Sequence, residues 1–254
     1  MERPLILVTN DDGVTAPGIR ALVEMAKEFG EIYVVAPDSP QSGMGHAVTL
    51  NSTLFCDEIE VDEEVKEYAC SGTPVDCVKL AVSQILPRKP DLCISGINHG
   101  SNSSVNVIYS GTMSAAVEAG IEGIPAIGFS LCDFAYNADF KAGEKFIKRV
   151  IAEVLKNKLP KGVVLNVNIP KLKEHEIKGI KVCRQADAKW EEKFDKREDP
   201  RGRTYYWMSG EFKNLDKGDD TDERALEEGY VSVVPVRYDF TAHHFLVDLR
   251  NWEL

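Results

Sequence analysis

The opening of the chain sets the fold. Leu5 to Thr9 is an unbroken apolar run. Ile19, Leu22, Val23, Ala26 and Phe29 then recur every three or four residues up to Gly30, and Ile32 to Ala36 is a second apolar run. Runs without polar alternation predict strands buried on both faces, and three-and-four spacing predicts an amphipathic helix. Strand, helix, strand within about forty residues is a parallel βαβ unit. The rhythm continues downstream. Strands are expected at 47–55, 92–95, 126–129 and 163–167, and helices at 73–86, 112–121 and 139–156. The chain should therefore be an α/β protein with a mostly parallel sheet and helices on both faces. Beyond Gly179 charge and aromatic content rise, which predicts a catalytic core over 1–178 and a smaller β-rich segment over 179–254. Strands at 204–208 and 230–236 would belong to that segment, and Thr241 would cap a closing helix running to Trp252.

Composition narrows the partners. The 254 residues are 43% hydrophobic and carry a net charge of −11, enough apolar material for a core and the wrong sign for gripping polymeric nucleic acid. The apolar runs are strand length, well short of the roughly 20 residues that a membrane-spanning helix needs. Met1 leads straight into a strand without a signal-peptide pattern, so no membrane partner and a cytoplasmic location are expected. The six cysteines, Cys56, Cys70, Cys77, Cys93, Cys132 and Cys183, lack metal-binding spacing and read as reduced core residues. The histidines, among them His99, His243 and His244, form no zinc pattern and suit ordinary surface and interface roles.

Ligands of open parallel sheets gather beyond the carboxyl ends of the strands. Three oxygen-rich clusters fall there: Asn10, Asp11, Asp12 and Gly13 after the first strand, 37–43 after the second, and 96–102 after the strand that ends near Ser95. Taken alone, Asn-Asp-Gly also makes a turn. Carboxylates, amides and hydroxyls are hard donors suited to Mg²⁺ or Mn²⁺. A fourth segment, Tyr109 to Thr112, opens a small-residue helix whose N-terminus can hold a phosphate. None of these clusters contains Lys or Arg, so phosphate charge would be offset by a metal and by backbone amides. Such a site suits a metal-held water as nucleophile.

Three other patterns lead elsewhere. Asn10, Asp12, Gly13 and Thr15 are spaced like the motif of haloacid-dehalogenase phosphatases, but an asparagine stands where those enzymes need a nucleophilic aspartate. Gly43 and Gly45 begin a dinucleotide fingerprint, yet they lack its third glycine and its helix. The acidic run 216–222 has its glycine misplaced for an EF-hand and reads as a solvated loop.

The assembled motifs resemble the survival protein E (SurE) family of metal-dependent nucleotidases and phosphatases. They are Val8-Thr-Asn-Asp-Asp-Gly13, Val35-Ala-Pro-Asp38 leading to Ser42 and Gly43, Ser71-Gly-Thr-Pro-Val-Asp-Cys-Val-Lys79, Ser95-Gly-Ile-Asn-His-Gly-Ser-Asn102, Tyr109-Ser-Gly-Thr112 and Gly229-Tyr-Val-Ser-Val-Val-Pro235. The resemblance implies a Rossmann-like core and one divalent cation, Mg²⁺ or Mn²⁺, per subunit, held by Asp11, Asp12, Ser42 and Asn98. It also implies hydrolysis of nucleoside 5′- and 3′-monophosphates, and homodimers or homotetramers built partly by the C-terminal segment. Asp11 and Asp12 would be the catalytic carboxylates, while Gly43, Asn102, Ser110, Gly111 and Thr112 would contact phosphate. Ser103 and Ser104 depart from the glycine-containing sequences common in relatives, which leaves the pocket wall open. Transfer from a nucleotide sugar and silent binding of a metal and nucleotide are the competing readings.

Overall fold

The computed structural model describes residues 3–135 and 137–253. Strand β1 (Leu5–Thr9) is buried at every residue. Helix α1 (Pro17–Ala26) starts on proline and buries Ile19, Leu22, Val23 and Ala26, and β2 (Glu31–Pro37) returns parallel to β1 with Leu5 opposite Glu31. The expected βαβ unit is therefore present. After it come β3 (Cys56–Ile59), β4 (Lys66–Cys70), α2 (Pro74–Leu80), β5 (Leu92–His99), α3 (Asn106–Tyr109), α4 (Gly111–Ile121), β6 (Ala126–Leu131), α5 (Glu144–Asn157) and β7 (Val163–Ile169). The last third supplies β8 (Ile180–Val182), β9 (Ala188–Glu198), β10 (Thr204–Asn214), α6 (Asp222–Glu227), β11 (Val231–Arg237) and α7 (Leu246–Leu249).

Among the described residues, nine strands form one sheet in the order β3-β4-β2-β1-β5-β6-β7-β11-β8, and β9 and β10 pair with each other in a second. Within the nine-stranded sheet the pairings run parallel except β3 with β4 and β11 with β7, and the β9–β10 pair is antiparallel. From β1 the chain builds outward through β2 to β4, then crosses back to lay β5 on the other side of β1. The strand order thus reverses between β1 and β5, and at such a point the connections diverge and open a crevice at the carboxyl edge. One face is covered by α1 and α5, with Ile19, Leu22, Ile147 and Ile151 in the core. The other is covered by α2 and α4 through Cys77, Val78, Met113 and Ala116. The small side chains of α4 bring its backbone close to the sheet.

Several expectations change. Residues 47–55 form no strand; the segment meets the sheet at Phe55, whose carbonyl accepts the Ser71 N–H, and β3 starts at Cys56. Side chains hold the segment: Thr49 donates from its backbone to Asp76, and Thr73 donates to the Ala47 carbonyl. The helix expected over 73–86 is α2 followed by a wider turn over Ala81–Ile85. Cys56 and Cys70 are not reduced core residues but a disulfide, since they face each other in the β3–β4 register with Cα atoms 4.1 Å apart. The other four cysteines are free, and Cys77, Cys93 and Cys183 are buried as expected. The closing helix shrinks to a turn over His243–Phe245 and to α7, which buries no residue and so has no face to extend. Thr241 does not cap it, and instead Asp239 accepts the Thr241 N–H. A division at 178 runs through the sheet, because β8 and β11 both belong to it.

Candidate active site

The carboxyl ends of β1, β2 and β5 are tied to one another by backbone. Gly13, with φ of 104°, turns the chain after β1, and the Val14 N–H then donates to Pro37 O at the end of β2. Gln41 N–H donates to Asp11 O at 2.7 Å, fixing the loop that carries Ser42 against the first carboxylate. Asn10 points inward: its amide nitrogen donates to Gly13 O at 2.9 Å, and its buried Oδ1 has no partner among the described residues. On β5 the pairing with β6 slips between Ser95 and Asn98. Asn98 Nδ2 donates to the carbonyls of His99 and Gly100, so Oδ1 is the end of the amide left to face a ligand.

Helix α4 closes the other side. Ser110 caps it by accepting the Met113 N–H at 3.0 Å. Gly111 packs on Asp11 so tightly that a Cβ there would lie 2.8 Å from Asp11 Oδ2, which is the physical reason for glycine. Thr112 donates its hydroxyl to Asp11 Oδ1. Asp11 is buried, and burial, reinforced by the charge of Asp12 against the Thr112 hydrogen bond, pushes its carboxyl up to about 6. Asp12 is less enclosed. Its carboxylate accepts the His99 N–H at 3.4 Å and lies 3.6 Å from His99 Nδ1, and the His99 ring is steadied edge-on against Phe140.

Burial pushes one of these two adjacent carboxylates toward neutrality, and no arginine or lysine bonds to either among the described residues. Nor, among those residues, do three His, Cys, Asp or Glu side chains converge as a metal cluster. A cation here would depend on the Asn98 amide and the Ser42 hydroxyl to complete its shell. That donor set fits a hard ion such as Mg²⁺ or Mn²⁺ and not zinc.

A cavity of about 450 Å³ opens over this edge, and Asp11, Ser42, Gly43, Asn98, Asn102 and Ser110 are on its wall. Asp12, Gly111 and Thr112 are not, and the Thr112 hydroxyl is occupied by Asp11. Asn102 is held by β6 and β7: its Nδ2 donates to Ser130 and its backbone N–H to Asn168. A larger hollow of about 970 Å³ lies at the amino-terminal edge, bordered by Pro4, Pro90 and Pro125, and shares none of these residues.

Several wall residues are not among the expected metal ligands and phosphate contacts. His99 lines the cavity as well as holding Asp12. Trp190 and Phe212 enter from β9 and β10, and Glu223 from α6. Glu223 accepts the Ser103 hydroxyl, and burial raises its carboxyl above the ordinary range. The acidic run is not simply solvated, since Asp222 is fully buried and accepts the N–H groups of Ser104 and Ala186. A sequence signal for this existed: Thr221 followed by two acids ahead of Ala225 is a helix start, and Thr221 does cap α6.

A doubly wound sheet whose switch point holds paired carboxylates, a capped helix N-terminus and a cavity above them defines a Rossmann-like α/β protein with an enzyme cleft. Residues 6–192 match the family model described as Survival protein SurE. The chain belongs to the SurE family. A 5′-nucleotidase SurE from Christiangramia forsetii is 72% identical over 255 residues, covering 100% of this chain and 98% of that protein. One from Flavobacterium johnsoniae is 68% identical, with the same coverage of both chains. The crystal structure of a SurE protein from Aquifex aeolicus gives a TM-score of 0.84 at 40% identity, covering 97% of this chain and 98% of that one.

Proposed function

We propose that this chain hydrolyses nucleoside monophosphates at the 5′ and 3′ positions with one divalent cation, Mg²⁺ or Mn²⁺, bound by Asp11, Asp12, Ser42 and Asn98. The 5′-nucleotidase activity rests on full-length relatives of that name. The observation that carries the rest is the buried Asp11 carboxylate on the wall of a cavity whose polar end also offers Asn98, Ser42 and the N-terminus of α4. When bound, the cation would acidify water and neutralise phosphoryl charge.

The chain's own groups have separate tasks. Asp11, fixed by Thr112, and Asp12, fixed by the His99 N–H, would hold the ion together with Asn98 and Ser42. Backbone N–H groups at the start of α4, together with Gly43, Ser110 and Asn102, would hold phosphoryl oxygens. Water attacks phosphorus, the ester oxygen leaves with the bonding pair, and it takes up a proton. Asp11, the member of the pair on the cavity wall, orients that water. Asn10 cannot form a phosphoenzyme, and its amide is already committed to Gly13. The reading also takes in a cytoplasmic location and assembly into dimers or tetramers through the C-terminal segment, whose hairpin exposes Phe194, Tyr206 and Trp207.

Phosphate release from nucleoside 5′- and 3′-monophosphates, with Mg²⁺, with Mn²⁺ and after chelation, tests the proposal. Release that survives chelation would remove the cation, and a folded Asn98→Ala variant with full turnover would remove the assigned shell.

A further inference from the structure

The cavity has a second end that phosphate chemistry does not use. Trp190 on β9 and Phe212 on β10 are cross-strand partners in the hairpin register, so both rings leave the same face at its root. Their centroids are 5.5 Å apart with planes at 60°, and both line the cavity that contains Asp11 and Ser110. The indole is not loose. Trp190 Nε1 donates to Asn106 Oδ1 at 2.7 Å, and Asn106 opens the short helix that runs directly into the Ser110 cap of α4. One hydrogen bond therefore sets the position of the indole relative to the phosphate end. With its only polar atom satisfied, the half-exposed ring has an apolar face to offer a flat partner. Phe134 adds a further ring to the wall, lying against Gly100, where a Cβ would meet the ring at 2.1 Å.

We infer that Trp190 and Phe212 form the nucleobase platform of this site, with Asn106 as the residue that positions it. The inference rests on reading the cavity as a nucleotide site and adds how the base is held: by stacking on the hairpin root. Every base has a π-face, so a stacking platform accepts purines and pyrimidines alike, with purines favoured by their larger area. The rings further out on the hairpin, such as Phe194 and Tyr206, do not line the cavity and take no part.

The test compares adenosine 5′-monophosphate with ribose 5-phosphate, which has the same phosphate and sugar but no base. For Trp190→Ala, the ratio of kcat/KM for the nucleotide to kcat/KM for the sugar phosphate should fall roughly tenfold or more, carried by KM. Trp190→Phe should recover much of the ratio, and Asn106→Ala should show a smaller fall than Trp190→Ala. An unchanged ratio in Trp190→Ala would overturn the platform. If Trp190→Ala does not fold, Phe212→Ala and Asn106→Ala read the same ratio, and no change in either would overturn it equally. If the unsubstituted protein hydrolyses neither compound, the hydrolytic reading fails by itself. The platform is then judged by equilibrium dialysis: nucleotide binding should exceed sugar phosphate binding, and that preference should shrink in Trp190→Ala. Equal binding of the two by the unsubstituted protein would overturn it.

Discussion

Strands β1 and β9 stand in opposite conditions. All five residues of β1 are buried, with parallel neighbours on both sides and helices above and below. In the hairpin of β9 and β10 every residue is exposed except Ala188 and Phe212. Burial on two faces fixes β1 residue by residue, while the hairpin relies on its ladder and on cross-strand pairs. The chemistry divides accordingly. Carboxylates that need tight placement follow the rigid strand, whereas ring contacts that tolerate small shifts sit at the root of the exposed one.

The contrast can be broken at either end. Asp12→Asn, at the rigid edge, should leave the far-ultraviolet spectrum intact and lower turnover of nucleoside monophosphate about a thousandfold, the loss of several kcal/mol of charge stabilisation. A loss below tenfold would move the chemistry away from β1. In the sheet itself, Ile94→Ala removes a fully buried side chain from β5 and should cost about 2–5 kcal/mol in urea unfolding.

Asp76 offers an intermediate case with a pH signature. Burial pushes its carboxyl up, but hydrogen bonds from Thr49 and Thr73 outweigh this and hold it below the ordinary value. A depressed native pKa stabilises the fold at pH above the unfolded value of about 3.9, and that contribution is lost as pH falls through the native value. Asp76→Asn should therefore cost about 1–2 kcal/mol at neutral pH, with the difference from the parent shrinking below about pH 4. A gap that widens in acid would reverse the assignment. The smallest effect belongs to the hairpin: Tyr206→Ser, at a 60% exposed position, should change unfolding free energy by less than about 0.5 kcal/mol. A cost near that of Ile94→Ala would show that the hairpin is covered, and sedimentation would then read the assembly.

What the sequence makes legible follows the same division. The first βαβ unit could be read because burial on both faces leaves an unbroken apolar run, and Asp11, Asp12 and Asn98 because strand ends in such a sheet share one edge. His99 stands beside Asn98 in the same cluster, but without a zinc spacing its residue type carries no signal that it would hold Asp12. Trp190 is one aromatic among several in an exposed hairpin, and its partner Asn106 lies 84 residues away. The disulfide depended on a β3–β4 register that the strand expected over 47–55 obscured. Hydrophobic pattern shows which face is inside, and it carries no information about which exposed side chains a distant turn will bring together.

The place where the hairpin departs has a further consequence. It leaves the chain after β8 and returns before β11, and those two strands pair with each other in the main sheet, with an isolated bridge from Arg184 to Thr221 across its neck. The excursion is thus clamped at both ends by the body of the protein, as a branch grafted on a trunk. Its length and tip can vary without disturbing the edge where phosphate would be cleaved, so the proposed base platform has its own stretch of chain on which to change.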